Sequence, residues 1–336
     1  MNVSKYNKLP HYIKEKLKVA NIYYDAKYCE YEKTKNNLVL YLYDDSFIQA
    51  VSIHSIKKIF STARLLSEPF SLSDNQYNQN DLQAFLNSVL ITLRKKIKVD
   101  WLESTLAGSV FQSYPEESKR IRWGNYIIDL SGKSIEEVFA GFDSKHRNMV
   151  RRGERANITI KFGGKELLND YLLLDKETWS RSNVTADNSY SYQQCLDALG
   201  ENAILGIAYK DGVPQCGLLG FYNQAMFYYM YGASANRPEP GSTHYLQFQT
   251  IKLMVEKGVQ AYNFVGCRIN VDKDSKYEHI QHFKRGFGGK LVECYMFKSV
   301  LNKSKYKLFR LLYSLKGRKL VNDAIDDEIH KWIDIN

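Results

Sequence analysis

Glycine is absent from the first 107 residues; all twenty glycines of the 336-residue chain lie from Gly108 onward. A glycine-rich phosphate loop is therefore excluded from the first third, whatever its fold. Cysteine is scarce: Cys29, Cys195, Cys216, Cys267 and Cys294 are odd in number and scattered, with no C-x-x-C pair. They read as reduced thiols rather than a disulfide frame or a zinc site. No apolar run approaches the ~20 residues that span a bilayer, and the start, Met1 to Pro10, has no apolar signal-type stretch. A cytosolic protein is the expectation. No G-x-S-x-G and no readable serine or cysteine triad occurs, so a covalent acyl-enzyme has no support. His279 and His282 stand three apart, but no third and fourth ligand appear at a readable spacing, which favours a site without metal.

What is present is an ordinary globular composition, 44% hydrophobic and 25% charged, long enough for two domains. The formal charge of +10 favours an anionic partner, with mere solubility as the competing reading.

The most informative stretch is Gln281-His-Phe-Lys-Arg-Gly-Phe-Gly-Gly289. It sets Lys284 between Phe283 and Phe287 in sequence and then releases the chain through glycines. A cation placed between apolar rings predicts a seat for an anionic ligand, in a helix and tight turn between strands Ala261–Gly266 and Leu291–Phe297.

Around it, periodicity predicts further elements. Leu38–Tyr43 and Phe47–Ile53 form a hairpin around Asp44–Ser46. A helix over Asp81–Leu93 precedes a strand at Ile97–Leu102. Trp123–Ser131 is a strand, and Ser134-Ile-Glu-Glu137 is a capping box that starts a helix. The run from Ser144 to about Asn157 is helical and basic, with Arg147, Arg151 and Arg155 on one face. A meander follows, Ala203–Tyr209, Gln215–Phe221 and Ala225–Tyr231, then a helix from Thr243 to Lys257 ending at Gly258. Tyr229 and Tyr231 alternate with Met230, so strand geometry puts both on one side, with Tyr229 as a core aromatic. The tail from Lys303 is helical and basic. Antiparallel meander, helix, strand, helix, strand is a mixed α/β pattern.

Tyr228-Tyr-Met-Tyr-Gly-Ala-Ser234, Tyr262-Asn-Phe-Val-Gly266 and Phe283-Lys-Arg-Gly-Phe-Gly-Gly289 resemble the second half of Fem-type (FemABX) aminoacyltransferases. Tyr126–Ser131 followed by Ser144–Arg152 resembles that family's entry into the same domain, so the likeness covers about residues 120–300. The resemblance implies an α/β (α+β) fold of two acetyltransferase-like (GNAT) domains, each a mixed, largely antiparallel sheet flanked by helices, without a coiled-coil arm. The first would span 1–124, completed by helices in 303–336, and the second 125–302. It also implies transfer of an amino acid from aminoacyl-tRNA to an amine of a nucleotide- or lipid-linked cell-envelope precursor, with no cofactor. Peripheral contact with the inner face of the membrane belongs to the same expectation. Lys284 would be catalytic. By the same resemblance Phe283, Tyr231 and Lys33 would bind substrate, and the basic face of the Ser144–Asn157 helix adds Arg147 and Arg151, with a solvated face as the competing reading.

Two departures accompany the likeness, and a third comparison is with the coenzyme A loop of acetyltransferases. Asn263 stands where the family strand usually has Asp. Asn188 stands near a place where some members hold a diphosphate with arginine. Arg237-Pro-Glu-Pro-Gly-Ser242 replaces the glycine-rich loop that opens a coenzyme A site, and Pro240 offers no N–H. This makes acyl-CoA the less favoured donor. Two alternatives to the tRNA-dependent reading stay open: a GNAT-type N-acyltransferase acting on an amino sugar from an acyl-CoA or acyl-carrier donor, and a non-enzymatic module that binds an anionic glycolipid.

Overall fold

Order along the chain begins with short elements: β1 (Asn2–Ser4), α1 (His11–Leu17), α2 (Ala26–Thr34), β2 (Leu38–Tyr43), β3 (Phe47–Ile56), β4 (Phe60–Leu65), β5 (Phe70–Ser71), α3 (Gln79–Thr92) and β6 (Trp101–Glu103). The computed structural model describes residues 1–74, 76–104, 108–181 and 189–315. Two compact units emerge: residues 1–125, 268–270 and 292–336 form the first, and 126–267 and 271–291 the second. The chain leaves the first unit within β7 (Lys119–Asp129), re-enters it briefly at 268–270 and returns within the last strand.

In the first unit β1, β2, β3 and β4 pair antiparallel in that order, and β6 joins β4 in parallel. The expected hairpin is present, its turn closed by Asp44 Oδ1, which accepts from the Ser46 and Phe47 amides at 2.9 Å. Helix α3 starts two residues before Asp81, because Asn78 and Asp81 form a reciprocal capping box. It lays Leu82, Phe85, Leu86, Val89 and Leu90 on Leu42, Val51, Ala63 and Leu65 of the sheet. The strand expected from Ile97 starts only at Trp101. Leu93–Ile97 continues the helix as a π turn, and Lys98 ends that turn in the left-handed region.

The second unit adds α4 (Ile135–Ala140), α5 (Ser144–Arg155), β8 (Thr159–Gly163), α6 (Leu168–Arg181), α7 (Ser189–Leu199), β9 (Ala203–Lys210), β10 (Val213–Tyr222), β11 (Phe227–Ser234), α8 (Ser242–Glu256), β12 (Ala261–Arg268) and α9 (Lys276–Gly286). Its strands run in the order β8-β9-β10-β11-β12-β7. The meander is antiparallel, and β12 joins β11 in parallel. Helices cover both faces. A Cβ on Gly217 would meet Tyr171 and Leu174 of α6, whereas one on Gly206 would meet Leu246 of α8. The Ser134–Glu137 capping box forms as expected, and Gly258 ends α8 at φ +70°.

The chain closes with β13 (Lys290–Val300) and α10 (Lys303–Ser314). From Val292 onward β13 belongs to the first unit, ahead of Lys303, because its Lys298, Ser299 and Val300 pair with β6. The architecture is α/β, with mixed, largely antiparallel pairing and flanking helices. No helix among the described residues is long and apolar enough to cross a membrane.

Candidate functional site

Strands β11 and β12 pair through only Phe227↔Tyr262 and Tyr228↔Asn263. Both continue, β11 to Ser234 and β12 to Arg268, so the two strands part beyond these pairs. The reason is local. Asn263, fully buried, accepts the Val265 amide on Oδ1 at 2.7 Å, and Val265 adopts φ +53°. A β-branched residue in the left-handed region is a true outlier, held there by its surroundings. The kink turns the carbonyls of Val265 and Gly266 toward α9. The acceptor role at 263 needs only an oxygen, so Asn serves where the family carries Asp.

Lys284 meets those carbonyls. Its Nζ donates to Val265 O at 3.0 Å and to Gly266 O at 2.7 Å, and the residue is only 6% exposed. One of its three N–H donors is uncommitted among the described residues. Burial pushes the ammonium down to about 8, with the Cys267 thiol opposing that shift. This corrects the expectation of a cation held between two rings. Phe283 and Phe287 lie four apart and meet each other, ring centroids 5.0 Å apart, while Lys284 points to backbone oxygen. The ammonium is poised by desolvation and carbonyl dipoles, not by a ring face.

Phe283 is held from behind by a set of residues that sequence reasoning missed. Asp143 caps α5, accepting the His146 amide at 2.7 Å, and the same Oδ1 meets His146 Nδ1 at 2.8 Å. The other ring nitrogen, Nε2, lies 3.1 Å from the carbonyl of Phe283. The Asp143 amide donates to Gly286 O at 2.9 Å, so the start of α5 is tied twice to the end of α9. Gly286 is required there: a Cβ would lie 2.0 Å from the His146 ring. His244 of α8 packs on His146, Phe283 and Phe287, and burial, then the neighbouring His146, lowers its pKa to about 4. Against burial, which raises it, the hydrogen bonds from His146 hold the Asp143 carboxyl below the usual carboxylate range. The Asp-x-x-His spacing before a helix was a readable signal. Its contact with residues 283–286 was not.

Tyr231 is 37% exposed and sits elsewhere on the sheet. Leu219 pairs with Tyr231 but Gly220 pairs with Tyr229, so Met230 is a β-bulge. The extra residue reverses the alternation. Tyr229 and Tyr231 therefore face opposite sides, which corrects the expectation that they share one. Tyr229 packs on Phe264, on the α8 side, and Tyr231 packs on Tyr192, whose hydroxyl donates to Asp175 of α6 at 3.2 Å.

The remaining predicted residues are dispersed. Arg147 gives Nη1 to the carbonyls of Ala140 and Phe142, closing the C-terminal end of α4. Arg151 is exposed, with its guanidinium 5.8 Å from the Phe139 ring centroid. Lys33 lies in the first unit and pairs with Glu30 at 2.5 Å. Asn188 lies outside the described residues. His279 and His282 are exposed, and among the described residues no three His, Cys, Asp or Glu gather as metal ligands. All five cysteines are buried, and burial pushes the Cys267 thiol up to about 11. At the start of α8 the backbone of α5 lies close: a Cβ on Gly153 would stand 2.8 Å from Gly241 O.

The pattern of the FemAB family matches residues 104–212 and 208–314, well over half of the chain. The chain belongs to the FemAB family. It is similar to a protein named lipid II:glycine glycyltransferase from Staphylococcus haemolyticus, 30% identical over 135 residues, 40% of this chain and 32% of that protein. The protein of the same name from Staphylococcus epidermidis is 35% identical over 100 residues, 29% of this chain and 24% of the relative. The chain thus matches about a third or less of the length of these relatives. The crystal structure of FemX superposes with a TM-score of 0.69 at 17% identity, covering 92% of this chain and 99% of FemX. That likeness concerns the fold.

Proposed function

We propose that this FemAB-family chain is an aminoacyltransferase that joins an amino acid, carried as an aminoacyl-tRNA ester, to an amine of a lipid- or nucleotide-linked peptidoglycan precursor. The observation that carries the reading is Lys284, a buried ammonium fixed on two carbonyls where β11 and β12 part. The names of the staphylococcal relatives support glycine as the group moved and lipid II as the acceptor. The chain would work in the cytoplasm, against the inner face of the membrane where a lipid-linked precursor presents its amine.

The chemistry asks little of the protein. The acceptor nitrogen attacks the ester carbonyl, the C–N bond forms, and the C–O bond to the tRNA ribose breaks. The amine proton ends on the departing hydroxyl. Ester to amide is downhill, so positioning and charge stabilisation are the needed terms. Lys284 supplies the charge, with its uncommitted N–H toward the developing oxyanion or the donor's terminal phosphate. Buried, protonated thiols such as Cys267 are poor nucleophiles, which supports direct transfer without an acyl-enzyme. The close packing of α5 on the start of α8, with Pro240 before it, supports tRNA over coenzyme A, because that helix end would have to cradle the pyrophosphate.

The test is to supply labelled glycyl-tRNA, acetyl-CoA and glycyl-CoA separately, each with lipid II, the nucleotide-linked precursor or a free amino sugar. Amide formation from glycyl-tRNA on a peptidoglycan precursor is the expected result. Transfer only from a thioester sinks the tRNA reading. No transfer with verified substrates leaves a binding module.

A further inference from the structure

Helix α10 carries a feature the transfer chemistry does not use. One face holds Tyr306, Phe309 and Tyr313, which pack on Trp101 and Phe60 with ring centroids 4.8–5.4 Å apart, or along the helix on one another. Asn302 caps the helix by accepting the Lys305 amide at 3.1 Å, and Lys305 Nζ reaches back to Asp100 at 3.5 Å. The aromatic face fixes the helix about its axis. At 3.6 residues per turn, the opposite face is then Leu308, Leu311, Leu312 and Leu315. These leucines are 45%, 56%, 42% and 74% exposed. Four adjacent half-exposed leucines are not the scattered apolar exposure of an ordinary surface.

Charge identifies the occupant. From Lys303 to Leu315 there are four cations and no acidic residue. Lys303, Lys307 and Arg310 are exposed, and helical spacing puts them on the flank between the aromatic and leucine faces. A protein groove takes the same i, i+3, i+4, i+7 stripe, so the flanking charge decides between the two occupants. A leucine stripe flanked by cations alone is the pattern of a helix lying in a bilayer interface, cations at phosphate depth and leucines at the acyl boundary.

We propose that α10 seats the protein on an anionic phospholipid bilayer, with Leu308, Leu311, Leu312 and Leu315 entering the interface and Lys303, Lys307 and Arg310 on the headgroup phosphates. This deepens the membrane part of the function proposed above by assigning it a surface. It is tested without any transfer, so inactive protein that still binds vesicles would refute only the transfer reading.

The experiment is flotation of the purified full chain with vesicles of phosphatidylcholine, alone or mixed with phosphatidylglycerol, alongside sedimentation without lipid. Binding to the mixed vesicles is expected, weakening with salt. Leu311→Gln/Leu315→Gln should lower it about tenfold or more, and Lys307→Gln/Arg310→Gln several-fold, with thermal midpoints unchanged. Failure of the wild type to float overturns the proposal. So does a leucine variant that floats like wild type. A wild-type dimer that the leucine variant dissociates, without flotation, assigns the stripe to a second copy instead. A monomer that does not float points to coverage by the chain's own residues 316–336.

Discussion

Replacing Lys284 by methionine separates its two physical roles. Methionine keeps the unbranched bulk but offers no donor to Val265 O and Gly266 O. The lysine pKa is depressed from 10.5 to about 8, chiefly by burial. That displacement corresponds to about 3 kcal/mol of unfavourable ammonium burial, before its two carbonyl hydrogen bonds are counted. Removing it roughly offsets the loss of two carbonyl partners at about 1–2 kcal/mol each, so Lys284→Met should stay folded. The pH dependence has a definite sign. Between about 8 and 10.5 the unfolded chain binds more protons than the native one, so native stability rises with pH across that window. Urea titrations should show wild type gaining up to ~3 kcal/mol there relative to Lys284→Met. Activity should move the other way. If the cation stabilises the oxyanion or the donor phosphate, Lys284→Met costs about 10²–10³ in kcat/KM at neutral pH. The ratio of wild-type to variant kcat/KM should then fall as pH rises through about 8. Taking that ratio divides out titration of the acceptor amine and hydrolysis of the donor, which affect both proteins alike. A flat ratio would remove Lys284 from the mechanism. A ratio rising through that pH would make the neutral amine a base and overturn the charge role.

Other expectations follow from single contacts. His146→Ala should cost about 3 kcal/mol in chemical denaturation, because it deletes the bridge from Asp143 to Phe283 O and leaves a cavity. Gly286→Ala should be as harmful alone, its Cβ lying 2.0 Å from the imidazole, yet should cost much less in the His146→Ala background; additive losses would refute the clash. Val265→Gly removes a left-handed valine worth about 1–2 kcal/mol of strain against about 0.5–1 kcal/mol of added chain entropy. Its thermal midpoint should hold while kcat/KM drops several-fold, since the carbonyls under Lys284 loosen. Tyr229→Ala should cost about 3 kcal/mol or more of stability and Tyr231→Ala under about 1, with only the latter raising acceptor KM at near-wild-type stability. Similar losses from both would contradict their placement on opposite faces.

The sequence by itself determined the elements and their class. Period-two runs became β2, β3, β9, β10 and β11, because alternation follows directly from the pleat. Ser134 and Glu137 announced the start of α4 because a capping box is satisfied within four residues. The stretch 281–289 was legible as the end of a helix and a tight turn, and Gly288 takes the left-handed conformation there. Short-range physics controls each of these features.

Only the tertiary structure decided what the side chains do. The Asp143–His146 pair, His244, Val265 and Lys284 are remote from one another in sequence, so their convergence had no local signature beyond the Asp-x-x-His spacing itself. Arg147 looked available on a basic helix until the end of α4 took its guanidinium. A single bulge at Met230 turned Tyr231 away from Tyr229, because one inserted residue reverses the facing of everything beyond it. Lys284 sits against a kinked strand held by Asn263 rather than between a pair of rings. Helical geometry forces Phe283 and Phe287 together on one face and sends the residue between them to whatever the fold has placed on the other.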